Sequence, residues 1–213
     1  MQKTRIAITG PDGSGKSSIS DKLSEELHSS VVVYAGKYRN HMLWSTKIGL
    51  KIWKSAQKLG GITSFVARFF LFYPLEYFEN LKRFKHNYEG SQTIIYDRHP
   101  IDRMALRHEI NAGNPPKRLK DRIEYSLLSF WSWWYRNFFP VIDRVYVLLP
   151  HPSLCFDRSK GQYKNEEEAK VRINAFYKAM KEYKSQNCVP IEIDENLSID
   201  DICNIISQNL KLK

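Results

Sequence analysis

Residues 10–17 read Gly-Pro-Asp-Gly-Ser-Gly-Lys-Ser, a complete G-x-x-x-x-G-K-[ST] pattern. It follows the β-branched run Arg5–Thr9 directly and precedes the helically spaced Ile19, Leu23 and Leu27. That order requires a chain that leaves a strand end, turns sharply and enters a helix at once, which suits a layered α/β fold. The glycines let backbone N–H groups curl round phosphate oxygens, and the helix adds its unsatisfied N-terminal donors and the positive end of its dipole. Lys16 has the reach for β and γ phosphates, the Ser17 hydroxyl can ligate Mg²⁺, and Ser18 can close the loop over an α phosphate.

Short apolar runs recur at Val31–Tyr34, Thr93–Tyr96, Arg144–Leu149 and Val189–Ile193, with helical spacing between them. Five strands alternating with helices predict a three-layer α/β domain over residues 1–213, with a five-stranded parallel sheet flanked by helices. Ala169, Ile173, Phe176, Met180 and Tyr183 mark one late helix, and Ser198 is the expected N-cap of the last, before Ile202, Ile205, Ile206 and Leu210. Residues 41–88 read as one long or two successive helices, with a break near Gly60-Gly61 and a kink or helix start at Pro74. Residues 117–139 read as an aromatic-rich helix after the turn Gly113-Asn114-Pro115-Pro116.

The loop, with Ser18 after it and an acidic residue inside it at Asp12, resembles the opening motif of the thymidylate kinase family. Ile94-Ile95-Tyr96-Asp97-Arg98-His99 is similar to that family's strand-end Asp-Arg-aromatic motif, and Ser153–Arg158 to its helix leading to a lid, here about 157–168. The resemblance implies a P-loop kinase fold with a short lid, and ATP and Mg²⁺ as donor and cofactor. It implies donor binding by Gly10, Asp12, Gly13, Ser14, Gly15, Lys16, Ser17 and Ser18, with metal ligation by Ser17 and Asp97. Lys16, Asp97, Arg98 and Arg158 would be catalytic, with Lys160, Lys164 and Arg172 behind Arg158 in the lid.

Acceptor contacts would fall to Asp12, Arg98, Arg39 with Lys37, and Phe72 or Tyr73, with residues 41–88 and 117–139 on the acceptor side. Some members carry an arginine where Gly13 stands, so here an arginine aimed at the γ phosphate has to come from the lid. The chain departs from the family on the acceptor side. Ala35–His41 replaces an Arg-Glu-Pro-Gly-Gly-like segment, Ile101–Arg107 replaces a Ser-Ser-x-Ala-Tyr-Gln-like one, and Glu76 stands where the family reads thymine with arginine.

Three functional readings follow, two of them differing in the acceptor. A nucleoside monophosphate comes first; a sugar, glycolipid or lipid headgroup at a membrane surface is the alternative; a nucleotide-binding module without kinase activity is the third. Charge bears on this choice. The chain carries 33 Lys and Arg against 23 Asp and Glu, a net +10, and residues 27–75 contain no acidic side chain at all. Such a balance favours anionic partners. The run Phe130–Phe139 is too continuously aromatic for one helix face, so some of its rings must meet a homodimer partner, a large acceptor or a membrane headgroup region. The three cysteines form no C-x-x-C, and the first ten residues lack a signal-type apolar core. Both point to a cytoplasmic protein, with any membrane contact peripheral.

Overall fold

The computed structural model describes residues 3–35, 43–110, 119–159, 161–183 and 187–211. It resolves into two compact units, Met1–Val33 with Tyr88–Lys213, and Tyr34–Asn87.

The larger unit is built on a parallel sheet. Strands β1 (Thr4–Thr9), β2 (Ser30–Tyr34), β3 (Thr93–Asp97), β4 (Arg144–Pro150) and β5 (Cys188–Ile193) lie in the order β2-β3-β1-β4-β5. Around them run helices α1 (Lys16–Glu26), α5 (Ile101–Ile110), α6 (Leu119–Phe138), α7 (Pro152–Arg158), α8 (Glu166–Glu182) and α9 (Ile199–Lys211), numbered with three others in chain order.

Alternation along the strands sorts the side chains into two buried faces. Ile6 and Ile8 of β1, Ile95 of β3, Tyr146 and Leu148 of β4, and Ile191 and Ile193 of β5 pack with Ile19 and Leu23 of α1 and with Ile202, Cys203 and Ile206 of α9. Ala7, Ile94, Tyr96, Val145 and Val147 fill the opposite face, where α8 lies on β4 and α5 on α8. With both faces covered, β4 reads as a continuous apolar run rather than an alternating one. Ile205, expected on the buried stripe of α9, is outward and partly exposed, because the helix turns Cys203 inward instead. Ser198 caps that helix as expected: its hydroxyl accepts from the Asp201 N–H at 3.1 Å, while the Asp201 carboxylate accepts from the Ser198 N–H at 3.0 Å. In the run Phe130–Phe139, at and just past the end of α6, Tyr135 and Phe139 are buried while Phe130, Trp133 and Phe138 are exposed, so its rings do divide between two environments.

The smaller unit is helical: α2 (Trp44–Leu59), α3 (Gly61–Val66), a π-helical segment Ala67–Phe72, and α4 (Tyr73–Lys85). The expected break falls at Gly60. Pro74 has no N–H to donate, and in a continuous α-helix its ring would meet the carbonyl four residues back, so a wider π turn precedes it and α4 starts at Tyr73. Gly49 lets α2 approach α4 closely, since a Cβ there would stand 2.7 Å from Leu75 Cδ1. Trp53 stacks on Phe72 with centroids 4.9 Å apart. The buried Arg83 donates to Glu79 and to the Tyr34 carbonyl.

Candidate functional site

Register brings the two strongest motifs together. β1 pairs with β3 so that Ile8 stands opposite Asp97, and the Arg98 N–H donates to the Ile8 carbonyl at 2.9 Å. The loop leaving Thr9 therefore emerges beside the end of β3, at the carboxyl edge of the sheet, between neighbours β3 and β4 on opposite sides. That is where open α/β sheets place their ligands.

The loop is shaped by contacts that only glycine permits at two places. A Cβ on Gly10 would lie 2.5 Å from the Leu148 carbonyl oxygen of β4, and one on Gly13 would lie 2.6 Å from the Cys155 carbonyl oxygen of α7. Both have positive φ, 153° and 87°. The backbone of α7 thus occupies the space that any side chain at position 13 would need in this loop geometry.

Lys16 is 5% exposed, folded back so that its ammonium donates to the Pro11 carbonyl at 2.6 Å and reaches Ser14 Oγ at 3.4 Å. Burial, reinforced by Arg98, lowers its pKa. The Ser17 hydroxyl donates to Asp97 Oδ2 at 2.8 Å, and Asp97 Oδ1 is buried with no hydrogen-bond partner among the described residues. Burial raises the Asp97 carboxyl despite that hydrogen bond and the cations Arg98 and Lys16.

Arg98 adopts φ +90°, outside the usual range for a side chain of its size. Its guanidinium spans two carboxylates, Asp12 at 3.1 Å and Asp102 at 3.0 Å, and Asp102 is also held by the Thr9 hydroxyl. Burial pushes the Asp12 carboxyl up, but Lys16 and Arg98 outweigh it and hold the group below the usual carboxylate range. His99 does not face this cluster. It is fully enclosed, edge-on to Phe139 and Tyr183, and accepts from the Ile101 N–H at 3.3 Å through Nδ1. Burial drops its pKa to about 3.

A clasp that no local sequence pattern signals holds the loop from the other side. The Asp12 N–H donates to the Tyr163 hydroxyl at 3.2 Å, and Cys155 Sγ donates to the Asp12 carbonyl at 3.1 Å. Tyr163 and Cys155 pack with Ala169, Phe156 and Ile173, so the segment between α7 and α8 is anchored on the loop backbone at Asp12. Only the tyrosine itself signalled this, and nothing in its local pattern singles it out.

A cavity of about 450 Å³ opens from the loop. Asp12, Gly13, Ser14, Gly15, Lys16, Ser17 and Ser18 line one end with Arg98 and the exposed Arg158, while Ile193, Leu197, Ser198, Ile199 and Ile202 form a largely apolar wall at the other. Its size falls within the range of small-molecule sites. The residues of that wall, at the end of β5 and the start of α9, have no sequence signature as a site, because a connection between two ordinary elements carries no motif.

Not every expected residue joins the cluster. Phe72 was a candidate to stack on an acceptor ring, but it is fully buried in the smaller unit with its face against Trp53, so it is core. Tyr73 is likewise buried, its hydroxyl accepting from Arg68 at 2.9 Å. Arg172, offered as a lid cation, instead donates to Glu109 of α5 at 2.5 Å and lies over the Phe176 ring, and neither it nor Lys164 lines the cavity. Arg39, Lys37, Lys160 and the turn at Gly113–Pro116 lie outside the described residues.

The donor set suits the nucleotide and metal that this loop type implies. Ser17 and Asp97 offer hard oxygen ligands, and Asp97 Oδ1 is an orphaned buried acceptor of the kind a cation satisfies. The glycines at 10 and 13 let the loop close against the backbones of β4 and α7, and a loop of that shape turns its N–H groups toward an anion.

No protein-family model matches the chain, and no curated protein sequence does. Among solved structures, the thymidylate kinase from Candida albicans is similar over 99% of this chain and 92% of its own, with a TM-score of 0.66 at 16% identity. A deoxyadenosine kinase from M. mycoides with bound dATP follows at 0.60 and 19% identity over 98% of this chain and all of its own. The thymidylate kinase from Ehrlichia chaffeensis matches at 0.58 and 17% over 99% of each. At these identities the likeness is one of architecture, and the chain has the P-loop nucleotide-kinase fold: a five-stranded parallel sheet between helical layers.

Proposed function

We propose that the protein is an ATP- and Mg²⁺-dependent phosphotransferase whose acceptor is a nucleoside monophosphate. The observation that carries this reading is the convergence of Lys16, Ser17, Asp97 and Arg98 at the carboxyl ends of two adjacent strands, around a glycine cradle. Phosphoryl transfer asks a protein chiefly for positioning and charge stabilisation, and these groups supply both.

In this reading the loop N–H groups and Lys16 hold the donor phosphates, and the donor base lies toward Ile193, Leu197 and Ile199. Ser17 and Asp97 would hold Mg²⁺, which when bound would neutralise charge on the phosphate oxygens. The γ-phosphoryl group passes from the β-phosphate oxygen of ATP to an oxygen of the acceptor phosphate, releasing ADP. Arg98 offers a planar fork to the acceptor phosphate and to the charge developing in transfer. Asp12 and Asp102 fix that fork from both sides, and Asp12 faces the acceptor. Arg158 approaches the phosphates from the lid side.

ADP release measured with a panel of nucleoside monophosphates and nucleosides tests the proposal. Strong stimulation by at least one monophosphate is expected. ATP binding with no stimulation by any nucleotide acceptor would overturn the acceptor half, and failure to bind ATP would overturn the donor half.

A further inference from the structure

The excess charge of the chain is concentrated in one place. The unit Tyr34–Asn87 contains ten Lys and Arg against two Glu, a net +8 out of the chain's +10. Both glutamates, Glu76 and Glu79, are buried. The acidic side chains of this unit therefore contribute nothing to its surface, while Lys47, Lys51, Lys58, Lys82 and Lys85 are exposed.

Apolar side chains share that surface. Trp44 is 75% exposed, and Ile48 and Ile52 follow it at four-residue spacing along α2. At about 100° per residue, Trp44, Ile48, Ile52 and Leu59 fall within an arc of about 80°. The exposed lysines of α2 occupy a neighbouring arc of roughly 60°, and Thr46, Gly49, Leu50, Trp53 and Ala56 face the unit's interior on the opposite side. The same spacing repeats after the break, where Ile62, Val66 and Phe70 are exposed, Ile62 at 82%. Two outward apolar rows in one small unit, the first bordered by lysines, are more than scattered surface hydrophobics.

We propose that this face docks onto an anionic lipid bilayer, lying in the headgroup region with the apolar rows inserted and the lysines against lipid phosphates. Charge decides among the occupants. A second copy would set one +8 unit against another, whereas an anionic surface complements it. Nucleic acid would satisfy the lysines and could stack a base on Trp44, but it would leave the aliphatic Ile48, Ile52, Leu59 and Ile62 with nothing apolar to meet, while a bilayer interface satisfies all of them. Among the described residues no helix is long and apolar enough to cross a membrane, so the contact is a surface one. The proposal does not depend on the phosphotransferase reading, because it is tested without nucleotide.

The test is co-sedimentation of the full-length chain with phosphatidylcholine vesicles with and without phosphatidylglycerol, at low and high salt. The wild type is expected to pellet only with the anionic vesicles and to be released by salt. A lysine triple, Lys47→Gln with Lys51→Gln and Lys58→Gln, should weaken binding on the order of 100-fold, at about fivefold per lysine. An apolar triple, Trp44→Ser with Ile48→Ser and Ile62→Ser, should weaken it at least about tenfold. Circular dichroism checks the fold, and Trp44→Ser alone serves if a triple variant unfolds. Wild-type protein left in the supernatant overturns the proposal. So does an apolar triple that binds as tightly as wild type, with lysine-dependent binding to single-stranded DNA marking a nucleic-acid face. A wild-type dimer abolished by the apolar triple, without vesicle binding, assigns the face to self-association and overturns it as well.

Discussion

Arg98 is held in a conformation that side chains of its size avoid, and its neighbours explain why it stays there. Its N–H is tied to β1 and its guanidinium to Asp12 and Asp102, so the surrounding hydrogen bonds over-determine a backbone that costs on the order of 1–3 kcal/mol. Arg98→Ala keeps the strain and loses the fork: turnover should fall about 100-fold while ATP affinity changes less than about threefold. Arg98→Gly should be as inactive yet more stable than the alanine variant by about 1 kcal/mol, read from urea unfolding midpoints. Its neighbour His99 makes a prediction about pH. Its folded pKa, about 3, lies below the unfolded value, so the unfolded chain takes up the proton first. Its contribution to stability is complete above pH 6.5 and is lost as pH falls toward 3, by at most about 1.4 kcal/mol per pH unit. His99→Phe should be less stable at pH 7 by about 1 kcal/mol, since the Ile101 N–H loses its acceptor, but its unfolding midpoint should fall less between pH 6.5 and 4.

At the scale of elements, the loop and the helix α7 are fitted to each other. Gly13→Ala drives a Cβ into the Cys155 carbonyl and the Ser159 N–H, both backbone and neither able to swing away. The expected loss is roughly 2–4 kcal/mol, measured by denaturant unfolding, with weaker ATP binding because the cradle must open. This also separates what was legible from what was not. Strand β1, the loop and α1 were read from local pattern, and so was the break at Gly60, because glycine placement and apolar periodicity act over a few residues. The hold of Tyr163 and Cys155 on Asp12 was not legible, since it joins residues about 150 positions apart. Phe72 and Arg172 misled for a related reason. An aromatic and an arginine look the same in sequence whether they face a ligand or, as here, Trp53 and Glu109.

For the molecule as a whole, the proposed donor site links ligand binding to folding. A nucleotide that binds only the folded chain at 100 times its dissociation constant stabilises it by about 2.7 kcal/mol, a rise in melting temperature of roughly 5–10 °C for a chain of this size. Thermal denaturation with ADP and Mg²⁺ should show that rise in the wild type and lose most of it in Lys16→Ala. Without ligand, Lys16→Ala should unfold within about 1 kcal/mol of wild type, because the hydrogen bond lost to Pro11 is offset by removing a buried ammonium. An undiminished shift in that variant would take Lys16 out of the donor site.

What the sequence determined by itself was the α/β class, the strand–loop–helix that carries the glycine loop, and the placing of Asp97-Arg98 at a strand end. Turn chemistry and side-chain periodicity are properties of short stretches of chain, and they survive in the sequence whatever packs on them. Only the tertiary structure decided the strand order that sets Asp97 beside Ser17, the pair of carboxylates that grips Arg98, and the burial of both glutamates of the smaller unit. Those outcomes depend on which distant elements share a register or a face, and no local pattern encodes that. The lysines and Trp44 of α2 were visible as letters from the start; it took the fold to turn them outward together.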